Sequence, residues 1–152
     1  ECRISGTDID PAAVDRARKN AEHACVMAGR ALQMIGSDAK VERPTFEVSS
    51  FKDLKAPYDE GTIICNPPYG ERLGDADEAE KLYKDMSSLF DDFKGWKIGV
   101  ITSHRKFQEC IGRYASLLKD LKAGNLDTTF YIYNGTEKAK IRRGERKGRG
   151  RF

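Results

Sequence analysis

The sequence predicts an α/β fold with a mostly parallel sheet finished by an antiparallel hairpin. Three observations carry that expectation. Short β-branched runs alternate with segments of helical periodicity at the spacing of βαβ units. One such run, "TIIC", stops at Asn66-Pro67-Pro68, where two rings without ladder N–H groups end any strand. The chain also contains "LDTTFYIYNG", an aromatic, β-branched strand closed by Asn-Gly.

The elements follow in order. Residues 3–8 (Arg-Ile-Ser-Gly-Thr-Asp) predict a short strand. "DIDPAAVDRARKNAEHACVMAG" predicts a helix with Asp10 as N-cap and Pro11 at its first position. Val14, Ala17, Ala21, Ala24/Cys25 and Ala28 recur at helical spacing. Strands are expected at Thr45 to Val48 and Thr62 to Cys65. A second helix is expected from Ala76 to Phe93, with Ala79, Leu82, Tyr83, Met86, Leu89/Phe90 and Phe93 on one face. "WKIGVIT" predicts a further strand, followed by a short helix around Arg105 to Ile111. Lys119 to Lys122 is the expected hairpin partner of the closing strand.

Composition narrows the function classes. The 152 residues suffice for one domain with a core, although 34% are charged. No apolar run approaches the roughly 20 residues that span a bilayer, and the expected location is the cytoplasm. Cys2, Cys25, Cys65 and Cys110 form no C-x-x-C pair, so neither a metal site nor a disulfide framework is expected. The net charge of +3 conceals an asymmetry. Gly135 to Phe152 hold eight Lys/Arg against two Glu, whereas Glu1 to Asn134 balance at −3. The expected organisation is a folded body, residues 1–134, and a basic, disordered tail, residues 135–152, which phosphate backbones would attract without sequence readout.

In open α/β sheets, ligands bind outside the carboxyl ends of the strands. Asp8 ends a strand ahead of a helix, a position suited to accept hydrogen bonds from ribose hydroxyls. The alternative is that Asp8 shapes the turn while Asp10 caps the helix. Asn66-Pro67-Pro68-Tyr69 offers different chemistry. The prolines hold a main-chain carbonyl that cannot enter a ladder beside the Asn66 side-chain oxygen. Two such acceptors match the two donors of a planar NH2 group, and Tyr69 offers a stacking face worth about 1–3 kcal/mol per base. Together they form a clamp for a conjugated exocyclic amine. Acceptors placed for the positive charge that develops on the attacking nitrogen stabilise the transition state without a carboxylate base.

"NPPY" at a strand end, with an acidic strand end before a helix earlier in the chain, resembles the amino-methylating S-adenosylmethionine-dependent methyltransferases. The longer run "CNPPYGERLGDADEAEKLYKDMSSLF" resembles a narrower family. These are bacterial ribosomal RNA methyltransferases that join a THUMP RNA-binding domain to a Rossmann-like catalytic domain and modify a guanine amine of large-subunit ribosomal RNA. "GTDIDPAAVDRARKNAEHAC", "PTFEVSSFKDL", "WKIGVITSH" and "FYIYNG" fall in the family's order, so the resemblance covers residues 3–135.

The resemblance implies a class I, Rossmann-like methyltransferase sheet and S-adenosyl-L-methionine as cofactor. Asp8 would hold the cofactor ribose and Ile9 would pack on its adenine. Asn66 and Pro67 would bind the target amine, Pro68 would stiffen the turn, and Tyr69 would stack on a base flipped out of folded RNA. Glu71 and Arg72 match a family extension without an assigned role. Ser49-Ser50-Phe51 stands where the family usually has an Asp on the adenine amine, which leaves Ser50 as a weaker hydrogen-bonding group and Phe51 beside it.

The family's first strand, central in its sheet, and the Gly-rich loop after it are not found in this sequence. The expectation is that these residues are the later part of a longer protein, with that loop and the THUMP domain upstream. Two other readings stand beside the RNA guanine reading: methylation of an adenine amine in DNA or RNA, and a non-catalytic fragment that binds RNA through residues 138–151.

Overall fold

A computed structural model of the chain describes residues 3–68 and 76–135. Tyr69, Glu71, Arg72 and the basic segment from 136 onward lie outside the described residues. The chain forms two compact units, Glu1–Leu54 and Lys55–Phe152.

In the first unit, β1 (Ser5–Asp8) and β2 (Thr45–Val48) pair in parallel, with Asp8 opposite Val48. They are joined by α1 (Pro11–Met34). The Asp10 carboxylate accepts the Ala12 N–H at 2.9 Å, so cap and Pro11 start the helix where the sequence places them. The helix runs six residues past Ala28, through "GRALQM", because nothing there forbids helix; Gly36, at φ +67, follows its end. The Arg18 guanidinium donates to the Phe46 carbonyl at 2.6 and 3.1 Å and ties α1 to β2. Val14 is the residue of α1 that is fully buried.

The second unit holds a four-stranded sheet in the order β3-β4-β6-β5: β3 (Thr62–Cys65), β4 (Lys97–Thr102), β5 (Leu117–Ala123) and β6 (Leu126–Asn134). β3 and β4 are parallel, and β6 pairs antiparallel with both β4 and β5. The described ladders are therefore two parallel and two antiparallel; the four-stranded sheet is mixed, with β5–β6 the expected hairpin and β6 also antiparallel to β4. Gly124-Asn125 forms its two-residue turn, and Gly124 takes φ +64, the demand that a hairpin turn places on its first central residue. In the four-stranded sheet the last strand, β6, lies between β4 and β5.

The expected helix over residues 76–93 is interrupted. It divides into α2 (Ala76–Asp85), a 3-10 turn (Met86–Ser88) and α3 (Leu89–Asp92), with helical dihedrals kept at Asp85 and Ser88. Ser87 and Ser88 are weak helix formers, and the ladder tightens there to i→i+3 bonds. The apolar face survives the change. Ala79, Tyr83, Met86, Leu89, Phe90 and Phe93 are all buried, together with Ile98 and Val100 of β4 and Tyr131 and Tyr133 of β6. A short helix α4 (Phe107–Ile111) adds Phe107 and Ile111. Burying each large side chain contributes about 1.5–3 kcal/mol.

Gly99 in β4 is required by a close approach. A Cβ there would lie 2.7 Å from the Phe130 ring. Gly99→Ala is expected to destabilise the protein by about 1–3 kcal/mol, read as a lower urea midpoint at unchanged slope. An unchanged midpoint would show that Phe130 moves aside without cost.

Candidate active site

The first unit carries two loops at the carboxyl ends of neighbouring parallel strands. Asp8 closes β1, and its backbone carbonyl accepts the Ser49 N–H at 3.0 Å, which aligns the two strand ends. The Asp8 Oδ1 accepts the Asp10 N–H at 2.9 Å. Oδ2 has no partner among the described residues. The turn-and-cap reading of this stretch is realised: Asp8 shapes the turn and Asp10 caps α1. Ile9 follows with 74% of its surface exposed, a large apolar side chain left uncovered. Across the ladder, Ser50 caps the 3-10 turn Phe51–Asp53 by accepting the Lys52 N–H at 3.3 Å. Its hydroxyl oxygen retains a second lone pair. Phe51 is half-buried beside it. Asp8, Ile9, Ser50 and Phe51 thus lie at the same end of one two-stranded ladder.

The second unit carries the Asn-Pro-Pro turn at the carboxyl end of β3. Cys65 pairs with Val100, so the chain leaving β3 does so beside the end of β4. Asn66 and Pro68 are exposed and Pro67 is half-buried. The Pro68 carbonyl accepts a hydrogen bond from the Tyr83 hydroxyl of α2 at 3.0 Å. Tyr83 is fully buried, its oxygen lies 3.2 Å from Thr102 Oγ1, and Thr102 Oγ1 accepts the His104 N–H at 3.1 Å. The Tyr83 ring packs edge-on against His104 and Phe107, at centroid distances of 5.3 and 5.1 Å. No hydrogen bond reaches the Pro67 carbonyl among the described residues.

Sequence reasoning places Tyr83 only on the apolar face of its helix and assigns nothing to Thr102 or His104. The available signal is that a Tyr on a buried stripe needs a polar partner for its hydroxyl.

Cys65, directly before Asn66, is half-buried. Burial pushes its thiol up to about 12. Its sulfur faces the Gly99 carbonyl at 3.8 Å. Iodoacetamide at pH 8 is expected to leave Cys65 unmodified in the folded protein and to alkylate it in urea, as read by peptide mapping. Rapid native labelling would contradict the burial. No group of His, Cys, Asp and Glu among the described residues is arranged to hold a metal ion. No helix among them is long and apolar enough to cross a membrane.

Parallel strands joined through helices, loops exposed at their carboxyl ends and an antiparallel last strand define the catalytic-domain fold of a Rossmann-like methyltransferase. Solved structures agree. SMU.472, provisionally described as a methyltransferase and crystallised with SAH, superposes with a TM-score of 0.72 at 31% identity, over 87% of this chain and 31% of that one. A Listeria monocytogenes str. 4b F2365 protein provisionally described as an N6-adenine-specific DNA methylase superposes with a TM-score of 0.63 at 32% identity, over 87% of this chain and 30% of its own.

The family described as RMKL-like, methyltransferase domain, matches residues 1–132, and the chain belongs to that family. YpsC of Bacillus subtilis (strain 168), provisionally named an RNA methyltransferase, is 34% identical over 86% of this chain. The ribosomal RNA large subunit methyltransferase K/L of Shewanella frigidimarina (strain NCIMB 400) is 34% identical over 87% of it. The chain spans 30% and 17% of the lengths of these two relatives.

Proposed function

We propose that the protein bearing this chain methylates an exocyclic base amine in RNA, with a guanine of large-subunit ribosomal RNA as the target and S-adenosyl-L-methionine as the methyl donor. The observation that carries the reading is the Asn66-Pro67-Pro68 turn at the end of β3, with the Pro68 carbonyl already engaged by Tyr83. In this reading Asn66 and the Pro67 carbonyl supply the acceptor pair for an NH2 group, and the Pro68 carbonyl holds the turn through Tyr83. The name of the large-subunit ribosomal RNA relative supports the choice of polymer.

The residues of the first unit fit the cofactor. Asp8 presents a carboxylate oxygen not used by the turn, suited to a vicinal diol. Ile9 presents an exposed apolar side chain for a flat ring, and Ser50 a hydroxyl at the adjoining strand end. Bound there, the cofactor supplies an electrophilic methyl group.

The chain's own part is positional and electrostatic. Asn66 and Pro67 accept the two amine protons, hold the nitrogen lone pair out of conjugation with the base, and face the positive charge that grows on nitrogen. Tyr69 stacks on the base. Main-chain rigidity from the two prolines means that little reorganisation is needed as that charge develops. The THUMP domain that the sequence resemblance implies elsewhere in the protein would bring the RNA, and the basic residues after Gly135 would add phosphate attraction.

A second reading, methylation of an adenine amine, is favoured by the description of the Listeria structure and by a clamp that fits either base. The experiment is transfer of labelled methyl from S-adenosylmethionine by the full-length protein to deproteinised ribosomal RNA, to DNA and to protein. Label in the large-subunit RNA is expected. Label only in DNA favours the second reading, and label only in protein overturns both.

A further inference from the structure

We infer that the groove between the β4–α4 loop and the β5–β6 hairpin is the subsite for the RNA strand next to the target nucleotide, with Arg105 as its phosphate contact. The inference rests on the RNA methylation reading and deepens it by naming where the substrate strand continues.

The second unit brings three pieces of chain to one end of its sheet. Cys65 pairs in parallel with Val100, so β3 and β4 end on the same side and the turn at Asn66 stands beside the end of β4. β6 runs the other way and begins there: Thr129 pairs with Thr102, and Asp120 of β5 pairs with Thr129. The strand order puts β6 two strands and β5 three strands from β3, about 10–14 Å at the usual strand spacing. The Tyr83 hydroxyl, 3.0 Å from the Pro68 carbonyl and 3.2 Å from Thr102 Oγ1, joins the turn to this frame.

Beyond Thr102 lies a groove of about 980 Å³, with Ser103 and Arg105 on its loop side and Asp120, Lys122, Asn125 and Thr129 on its hairpin side. That volume is at the top of the usual range for ligand sites, room for a nucleotide and the start of its neighbour. Tyr131 also lines the groove, and its ring packs against Phe107 at a centroid distance of 5.0 Å, so this wall is part of the core.

The charges assign the parts of a nucleotide. Lys122 Nζ lies 4.0 Å from Asp127 Oδ1, and Asp120 Oδ1 accepts the Thr129 hydroxyl at 3.1 Å. Arg105 is exposed and makes no ion pair among the described residues. A guanidinium free of carboxylates is suited to grip a phosphate with two N–H groups. The carboxylates repel phosphate but accept from sugar hydroxyls and base amines, and Ser103, Asn125 and Thr129 serve either polarity. The groove therefore fits a nucleotide in one sense, with its phosphate on Arg105 and its sugar and base toward the hairpin. A uniformly basic patch would hold any polyanion, whereas this mixed lining selects a nucleotide. A base flipped into the clamp leaves its neighbours on the same strand, and that strand must pass along the carboxyl end of the sheet.

The test uses Arg105→Ala in the full-length protein, with an RNA acceptor that the wild type methylates. KM for the RNA is expected to rise roughly 10-fold, while kcat and the dissociation constant for S-adenosylmethionine stay within about twofold of wild type. Anisotropy titration of the same RNA across a salt series should give a slope of log affinity against log salt that is shallower by about 0.7, the share of one phosphate contact on a single strand. Arg105→Lys should recover part of the loss. Lys97→Ala removes an exposed cation at the start of β4, the opposite end of the sheet, and is expected to change neither KM nor slope. Unchanged KM and slope in Arg105→Ala, or equal effects of Arg105→Ala and Lys97→Ala, overturn the subsite alone. A wild type that methylates no RNA overturns the RNA methylation reading, and the subsite falls with it.

Discussion

Asn66→Ala is expected to lower kcat for methyl transfer roughly 100- to 1,000-fold while leaving the dissociation constant for S-adenosylmethionine within about threefold of wild type. The split follows from where Asn66 stands. It follows β3 in the second unit, next to two rigid prolines, and its side-chain oxygen is one of two acceptors assigned to the amine. Losing it removes half of the stabilisation of a charge that exists only as nitrogen attacks, so the ground state is affected little. Single-turnover rates and equilibrium dialysis on the same preparations measure the two quantities. A loss of cofactor binding comparable to the loss of rate would show instead that Asn66 serves the cofactor or the fold.

The complementary result is expected at the end of β1. Asp8→Ala should weaken cofactor binding roughly 10- to 100-fold, the scale of a lost charge-assisted hydrogen bond. It should also lower thermal stability, because Asp8 Oδ1 accepts the Asp10 N–H. Asp8→Asn separates the two roles. The amide retains an acceptor for the Asp10 N–H but replaces the carboxylate, so stability should recover while cofactor binding stays weak. Recovery of binding in Asp8→Asn would mean that the carboxylate charge contributes nothing to holding the ribose, and that Asp8 is a turn residue only.

The features most legible in the sequence are those enforced by local covalent constraints. Pro67 and Pro68 end β3 at Cys65, and Asp10-Pro11 starts α1, each at the expected residue. The interruption at Met86–Ser88 was less legible, since apolar periodicity continues through it and only the modest helix preference of two serines opposes it. Asp8, Ile9, Ser50 and Phe51 are grouped in the sequence only through the family resemblance, and the parallel pairing of β1 with β2 puts them at neighbouring strand ends. The chain from His104 through Thr102 and Tyr83 to Pro68 could not be read from the sequence. Its members are separated by up to 36 residues, no periodicity marks a hydroxyl that turns back to a main-chain carbonyl, and Tyr83 reads as one more apolar position of its helix.

The central claim, that the Asn-Pro-Pro turn presents a base amine for methylation, is tested most directly by the position of the methyl group in the product. Large-subunit RNA labelled by the full-length protein should be digested to nucleosides and separated by chromatography with mass detection. The account predicts label in N2-methylguanosine and loss of that label with Asn66→Ala. Label on a ring carbon, on a ring nitrogen or on a ribose hydroxyl would contradict it, since none of these presents two protons to a pair of fixed acceptors.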